Sequence, residues 1–334
     1  MRTEAAVTSI SWIPSEAVAG MTKMPFEGGL AHYDPPPPDV VPDAAVLAVL
    51  RDDDRFRFAN RLEGWIETDG ERITGYGQGG GGMIGSTTVS LGRKVTFEAV
   101  ALPDLTRDPE VGDGWVRFSQ SAGGRTGLPM PRKVKHPPFV QFRAPVAYTT
   151  LTLTLHTDGR VEHSLVGAST FPRHWVYGSD GTLSQKSGLI DFKEWANRSF
   201  GKHTPWGDED SPALVAQVET ALERELSVQI MRGAKPKIRK IKEGAVLAEQ
   251  GEPGRELFLL LDGLLSVDVD GTALGEYGPG ALLGERAVLE GGRRTATLRA
   301  RTPCKVAVAS ADAVDRDKLV ELGKGHRREE ERVE

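Results

Sequence analysis

Cysteine is almost absent: a single thiol, Cys304, stands in 334 residues. One thiol cannot close an internal disulfide or build a multi-thiolate zinc site, and such scarcity fits a reducing compartment. Long apolar runs are missing too, with no stretch approaching the roughly 18 residues a spanning helix needs. The first twenty residues lack the basic-then-apolar layout of a secretory signal, so a cytoplasmic location and no membrane partner are expected. Positive charge is not in excess. The formal charge of −5 leaves no overall footprint for nucleic acid, which argues against DNA as a partner. Gly-x-Ser-x-Gly, a lysine-bearing phosphate loop and His-Glu-x-x-His are all lacking, which removes the common hydrolase, kinase and zincin signatures.

What is present is ordinary globular material, 39% hydrophobic and 27% charged, long enough for about two domains. Abundant glycine (39) and proline (21) favour turns and short strands, so the expected fold is mainly β. The pattern divides the chain into an extended arm over 1–41, a β-rich domain over 42–207, a linking helix within 208–235 and a second β domain over 236–334. The arm contains the polyproline run Pro35 to Pro38. Ala44 to Leu50 has a short helical pattern, after which the period changes to two. Strands are predicted at 65–68, 71–76, 87–91, 95–100, 115–119, 140–143, 148–156, 160–166 and 174–177, a meander closing as a barrel or sandwich. Strict Leu/Thr alternation over Thr149 to Leu155 requires one buried face, and Asp158-Gly159 is a preferred hairpin dipeptide. Ser211-Pro212 reads as a helix start, and Leu214, Val215, Val218, Leu222, Leu226 and Ile230 predict one amphipathic helix over 212–231, stopped by Gly233. Basic residues from Lys235 to Lys242 read as a solvated linker or edge.

The N-terminal half carries several weak signals and no recognisable family. Gly75-Tyr76-Gly77-Gln78-Gly79-Gly80 has the letters of a dinucleotide fingerprint, but strand follows it where a helix is required, so a glycine-rich hairpin loop is expected. His136, His156, His163, His174 and His203 lack ligand spacing. His163 with Glu162 and Asp191 is weighed as a metal or acid–base set against scattered histidines, and the latter is preferred. Phe171, His174, Trp175 and Tyr177 could line a barrel mouth, with core packing the default. No catalytic residue and no metal site are assigned.

Short β runs joined by glycines return from Gly244. Between two of them lies Gly284-Glu285-Arg286-Ala287-Val288-Leu289-Glu290-Gly291-Gly292-Arg293-Arg294-Thr295-Ala296, which combines a glycine for close approach, a helical turn with free N–H groups, and a returning arginine. Taken alone, Glu285 and Arg294 read as a surface ion pair, common and worth little.

This stretch resembles the phosphate-binding cassette of cyclic-nucleotide-binding domains, such as those of bacterial catabolite activator proteins, protein-kinase regulatory subunits and cyclic-nucleotide-gated channels. The resemblance extends upstream through Gly244 to Gly254 and Leu257 to Gly263, about 100 residues in all, and implies a C-terminal jelly-roll with short helices. Carried over, it gives Glu285 to the ribose 2′-hydroxyl, Arg294 to the cyclic phosphate, the N–H groups of Arg286 and Ala287 to the anion, Gly284 to the room the ribose needs, and Thr295 to the phosphate or purine. The ligand implied is cyclic AMP or cyclic GMP, with cyclic AMP preferred as the commoner bacterial one; no cofactor is called for. Two departures stand out. Gly280-Ala281-Leu282-Leu283-Gly284-Glu285 lacks the family's aspartate and aromatic, and only a short helix over Asp315 to Leu322, interrupted by Gly323 and Gly325, stands where a long capping helix is usual.

The combined expectation is a cytoplasmic sensor without a DNA-binding domain, in which nucleotide acts on the N-terminal β domain through the helix at 212–231, alone or as a homo-oligomer or with a protein partner. A cyclic-nucleotide-regulated enzyme, a small apolar ligand-binding barrel and a degenerate jelly-roll used for assembly are the alternatives.

Overall fold

The structure, a computed structural model, describes residues 1–14, 26, 33–70, 72–85, 87–91, 93–97, 99–125, 130–135, 137–187, 191–207, 215–217, 221–233 and 236–330. The chain divides into two compact units, Met1–Leu214 and Val215–Glu334, both dominated by strand.

The N-terminal unit is built on eight principal strands: β1 (Arg2–Trp12), β2 (Phe58–Asp69), β3 (Arg72–Ile84), β4 (Trp115–Arg125), β5 (Val146–His156), β6 (Val161–Ala168), β7 (Arg173–Tyr177) and β8 (Leu183–Ser187). An antiparallel sheet in the order β8-β7-β1-β2-β3 faces a second one in the order β6-β5-β4. The leucine face of β5 is buried as expected: Leu151, Leu153 and Leu155 are all buried, with Leu153 opposite Phe118 and Leu155 opposite Val116 on the neighbouring strand. Gly64 of β2 has no side chain because the Phe118 ring and Leu153 fill that space. Between the sheets runs a polar bridge. Asn60 Nδ2 donates to the Thr149 carbonyl at 3.1 Å, Gln120 Nε2 donates to Asn60 Oδ1 at 2.7 Å, and Ser9 and Thr149 share a hydroxyl bond of 2.7 Å. On the outer face of the first sheet, helix α1 (Ala44–Asp52), capped by Asp43, packs Leu47 and Leu50 against Ile10 and Trp175.

Two expectations change here. Arg2–Trp12 is not an arm but an inner strand, paired on both sides by β2 and β7. Its buried Thr8, Ser9 and Ser11 blur the apolar alternation that would have marked it. The glycine run is neither fingerprint nor hairpin loop but the body of β3, glycine-rich where the Trp65 ring lies over Gly77 and excludes a β-carbon. The default readings of two other signals hold: the aromatic group Phe171, His174, Trp175 and Tyr177 packs in the core, with all four buried. His163, Glu162 and Asp191 likewise form no set: His163 Nε2 lies 3.1 Å from Ser184 Oγ, Glu162 pairs with His156, and Asp191 caps helix α2 (Phe192–Arg198). No metal-competent cluster exists among the described residues, and His136 lies outside them.

The C-terminal unit is a β jelly-roll with short helices. Its strands are β9 (Val215–Gln217), β10 (Lys237–Ile241), β11 (Val246–Ala248), β12 (Glu256–Asp262), β13 (Leu265–Val269), β14 (Thr272–Tyr277), β15 (Leu282–Leu283), β16 (Thr297–Ala300) and β17 (Cys304–Ser310). They form the layers β11-β16-β13-β14-β9 and β10-β17-β12-β15. The uninterrupted apolar run of β12 follows from burial on both faces. Phe258 and Leu260 enter the core between the layers with Val306 and Cys304, whereas Leu257 and Leu259 meet Leu226, Ile230, Leu319 and Leu322 of two covering helices.

The first covering helix, α3 (Ala221–Gly233), belongs to this unit and begins at Ala221 rather than at Pro212; Val215 is in strand, and the proposed cap at Ser211 lies outside the described residues. It ends at Gly233 as expected, and the basic segment after it supplies the edge strand β10. The second, α5 (Arg316–Glu330), runs straight through Gly323 and Gly325, which the sequence reading took as breaks. Gly323 is instead a packing position, since a β-carbon there would stand 2.9 Å from Leu289 Cδ1 of the short helix α4 (Glu285–Leu289). Among the described residues no helix is long and apolar enough to cross a membrane.

Candidate functional site

The cassette sits where β15 passes into α4. Gly284, the residue before that helix, has φ +87°, a left-handed conformation that glycine adopts without a β-carbon penalty. A β-carbon there would also crowd Arg294 Nη1 and the Glu256 carbonyl. The turn carries Glu285 inward, leaving 3% of the residue exposed, and Ala287 is buried as well. Arg286 points elsewhere, pairing with Glu290 one turn along at 3.2 Å.

Arg294 enters from the opposite side. Its backbone is pinned to the strand-free stretch Gly251–Glu252, donating to the Glu252 carbonyl and accepting from Gly251 N–H, both at 2.8 Å. The side chain is buried to 6% exposure, with Nη1 donating to the Glu256 carbonyl at 2.9 Å and, more weakly, to Gly284 at 3.5 Å. The guanidinium carbon lies 4.5 Å from the Phe258 ring centroid, a cation–π distance. Burial pushes the Arg294 pKa down, opposed by the carboxylates of Glu256, Glu285 and Glu252. Among the described residues no carboxylate lies within ion-pair distance of Arg294. A buried guanidinium satisfied by carbonyls and a ring, but without a contact anion, is an anion-receptive arrangement, because burying a charge without a partner is costly.

Glu285 and Arg294 are therefore not a surface ion pair: both are buried, and they hold different partners. Glu285 Oε1 lies 2.9 Å from Nδ1 of His326, on α5. Sequence reasoning missed that histidine, because the glycines before it broke the helical pattern that would have carried it to the site. Thr295, next to Arg294, is half-exposed, and among the described residues its hydroxyl has no hydrogen-bond partner. Arg293 is exposed and donates to the Gly251 carbonyl at 2.7 Å. The structure thus gathers Gly284, Glu285, Ala287, Arg294 and Thr295 around one turn and directs the Arg286 side chain away from it.

Known proteins give this turn its context. Residues 238–316 match the family model of the cyclic nucleotide-binding domain. The C-terminal unit carries a cyclic nucleotide-binding domain. Over 75 residues, 22% of its length, the chain is 39% identical to a cyclic nucleotide-gated potassium channel of Mesorhizobium japonicum, covering 20% of that protein. A second such channel, of Rhizobium etli, is 34% identical over 88 residues, 26% of this chain and 23% of the channel. The chain thus spans only about a fifth of the length of these relatives. Among solved structures, PKAR CBD2 bound to Sp-2Cl-cAMPS is 23% identical with a TM-score of 0.26, covering 34% of this chain and 82% of that one.

Proposed function

We propose that the protein is a cyclic-nucleotide sensor whose ligand is held by the turn at Gly284–Thr295, with cyclic AMP preferred and the N-terminal β unit as its output. The observation that carries this reading is the buried Arg294 guanidinium, which faces no contact carboxylate within a domain of this family. A cyclic phosphodiester carries one negative charge on oxygens that a guanidinium fork can meet in pairs. The N–H groups of Arg286 and Ala287 complete the anion cradle, Gly284 admits the ribose, and Glu285 accepts its 2′-hydroxyl. Thr295 both donates and accepts, so its hydroxyl serves either the phosphate or a purine. None of these contacts moves a bond, and the reading is of a regulatory, non-catalytic, cytoplasmic protein.

Isothermal titration of cyclic AMP and cyclic GMP into the full chain and into Arg294→Ala tests it. A buried charge-assisted contact is worth about 1.5–3 kcal/mol, so the variant is expected to bind more than about ten-fold more weakly. All six tryptophans lie between Trp12 and Trp206, so a change in emission on saturation reports the N-terminal unit. Absence of heat with either nucleotide in the folded full chain overturns the reading, and binding with unchanged emission removes its output.

A further inference from the structure

We propose that the hairpin formed by Met130–Lys133 and Val140–Arg143 is a docking element for an anionic lipid surface, with Phe139 and Phe142 entering the headgroup layer and Arg125, Lys135 and Arg143 meeting its phosphates. The two strands pair only with each other among the described residues, Met130 opposite Arg143 and Lys133 opposite Val140. They prolong the end of the second sheet at which Val146 of β5 pairs with Arg125 of β4. A two-stranded ribbon gains little stability on its own in water. This one leaves every residue from Pro137 to Arg143 exposed, Phe139 by 59% and Phe142 by 71%.

Charge in this part of the chain has one sign. Between Asp113 and Asp158 there is no aspartate or glutamate, against six arginines and lysines, of which Arg125, Arg132, Lys133, Lys135 and Arg143 belong to the hairpin and its root. Among the described residues no carboxylate pairs with Arg125, Lys135 or Arg143, and the buried Nε of Arg125 has no hydrogen-bond partner. Burial lowers the Arg125 pKa and the positive field of Arg143 lowers it further, so two guanidiniums share the root of the hairpin. The net charge of −5 and the lack of a spanning run, which weigh against a membrane partner, describe the chain as a whole, and the hairpin is a local exception. The aromatic residue at its turn does not serve the fold. Phe139 has φ +63°, a left-handed conformation uncommon for a bulky residue, which glycine or asparagine adopts at lower cost.

The charge selects an anionic partner, and the exposed apolar side chains select one with an apolar layer beside its charges. A folded acidic protein or a nucleic-acid strand would cover one face of the ribbon and leave the other in water. Here both faces stand exposed, Val140 and Phe142 on one and Gln141 and Arg143 on the other. A headgroup layer surrounds whatever enters it and sets anionic oxygens above an acyl phase, so it matches both faces at once. Pro131, Pro137 and Pro138 also withhold backbone N–H groups that would need partners at that depth.

The test is co-sedimentation of the full chain with vesicles of phosphatidylglycerol and phosphatidylcholine in equal parts, and with vesicles of phosphatidylcholine alone. The wild type is expected to bind the anionic vesicles at least about ten-fold more tightly than the neutral ones. Phe139→Asn combined with Phe142→Ser, both at exposed positions, should keep the melting temperature within about 3 °C of the wild type and bind the anionic vesicles about ten-fold or more weakly. Lys135→Gln combined with Arg143→Gln should lose about the same factor. A folded wild type that does not sediment with anionic vesicles overturns the proposal. So does sedimentation undiminished by the phenylalanine replacements, since that is adsorption by charge alone. Two parallel measurements, gel-shift with a single-stranded oligothymidylate and analytical ultracentrifugation, identify the occupant in that event. Oligothymidylate binding without vesicle binding gives the hairpin to nucleic acid, and a wild-type dimer that the phenylalanine replacements dissociate, again without vesicle binding, gives it to a second copy of the chain; either result overturns the lipid surface.

Discussion

The guanidinium of Arg294 occupies the space that Gly254 leaves by having no side chain. A β-carbon built on Gly254 would overlap Nε and the guanidinium carbon, and the glycine's own N–H is committed to the Gly292 carbonyl at 2.8 Å, so the backbone cannot withdraw. Gly254 has no left-handed φ, and alanine can adopt its conformation. Gly254→Ala should therefore fold and shift the arginine rather than strain the chain. The expected outcome is cyclic AMP binding weakened by about ten-fold or more, the size of one lost charge-assisted contact. Calorimetry gives the affinity, and a melting temperature within about 3 °C of the wild type, the shift expected for less than about 1 kcal/mol in a domain of this size, excludes unfolding as the cause. Unchanged affinity would mean that Arg294 binds nothing from this position.

The candidate site could be picked out because its signal is local. Gly284, Glu285 and Arg294 fall within eleven residues of one another, and the resemblance rests on that spacing with the glycines around it, since Glu285 and Arg294 taken alone read as a surface ion pair. The Leu/Thr alternation of β5 and the Asp158-Gly159 turn were readable for the same reason, with Gly159 at φ +88°. What escaped was pairing at long range. Arg2–Trp12 lies next to Phe58–Asp69 and Arg173–Tyr177, and nothing in its own eleven residues, with Thr8, Ser9 and Ser11 buried among them, announces an inner strand. Gly323 misled in the opposite sense. Its rank as a poor helix former is a weak prior, and contact with Leu289 across the helix pair outweighs it.

The bridge between the two N-terminal sheets makes Asn60 a sensitive position. Its amide donates to Thr149 and accepts from Gln120, whose Nε2 also reaches the Arg61 carbonyl at 3.1 Å. Asn60→Ala removes one member and leaves the Thr149 and Gln120 groups with fewer partners in a buried place. Such a loss costs about 2–3 kcal/mol. The expected outcome is a lower urea midpoint in the tryptophan-detected transition, which reports the N-terminal unit, with nucleotide affinity unchanged at low denaturant. A variant with the wild-type midpoint would show that the bridge carries no net stability.

Acid should weaken the N-terminal unit through His174. The ring is wholly buried, and burial lowers its pKa from the ordinary 6.5 to about 4, with the bond to the Ser169 carbonyl opposing the shift. That carbonyl, 2.8 Å from Nε2, can only accept, so Nε2 carries the proton and Nδ1 accepts from the Ser11 hydroxyl at 2.7 Å. The folded state thus holds the neutral ring. Between pH 6.5 and about 4 the unfolded chain binds a proton that the folded chain does not, so the stability present above 6.5 is lost as the pH falls. The shift corresponds to about 3 kcal/mol. Since carboxylates also titrate toward the lower end, the decisive comparison is with His174→Gln, whose amide can donate to Ser169 and accept from Ser11 without titrating. Urea unfolding followed by tryptophan emission should show the wild type losing stability between pH 7 and pH 5 more steeply than the variant, by about 2 kcal/mol. Parallel slopes would place a proton on His174 in the folded state, and with it a partner for the ring other than Ser11 and Ser169.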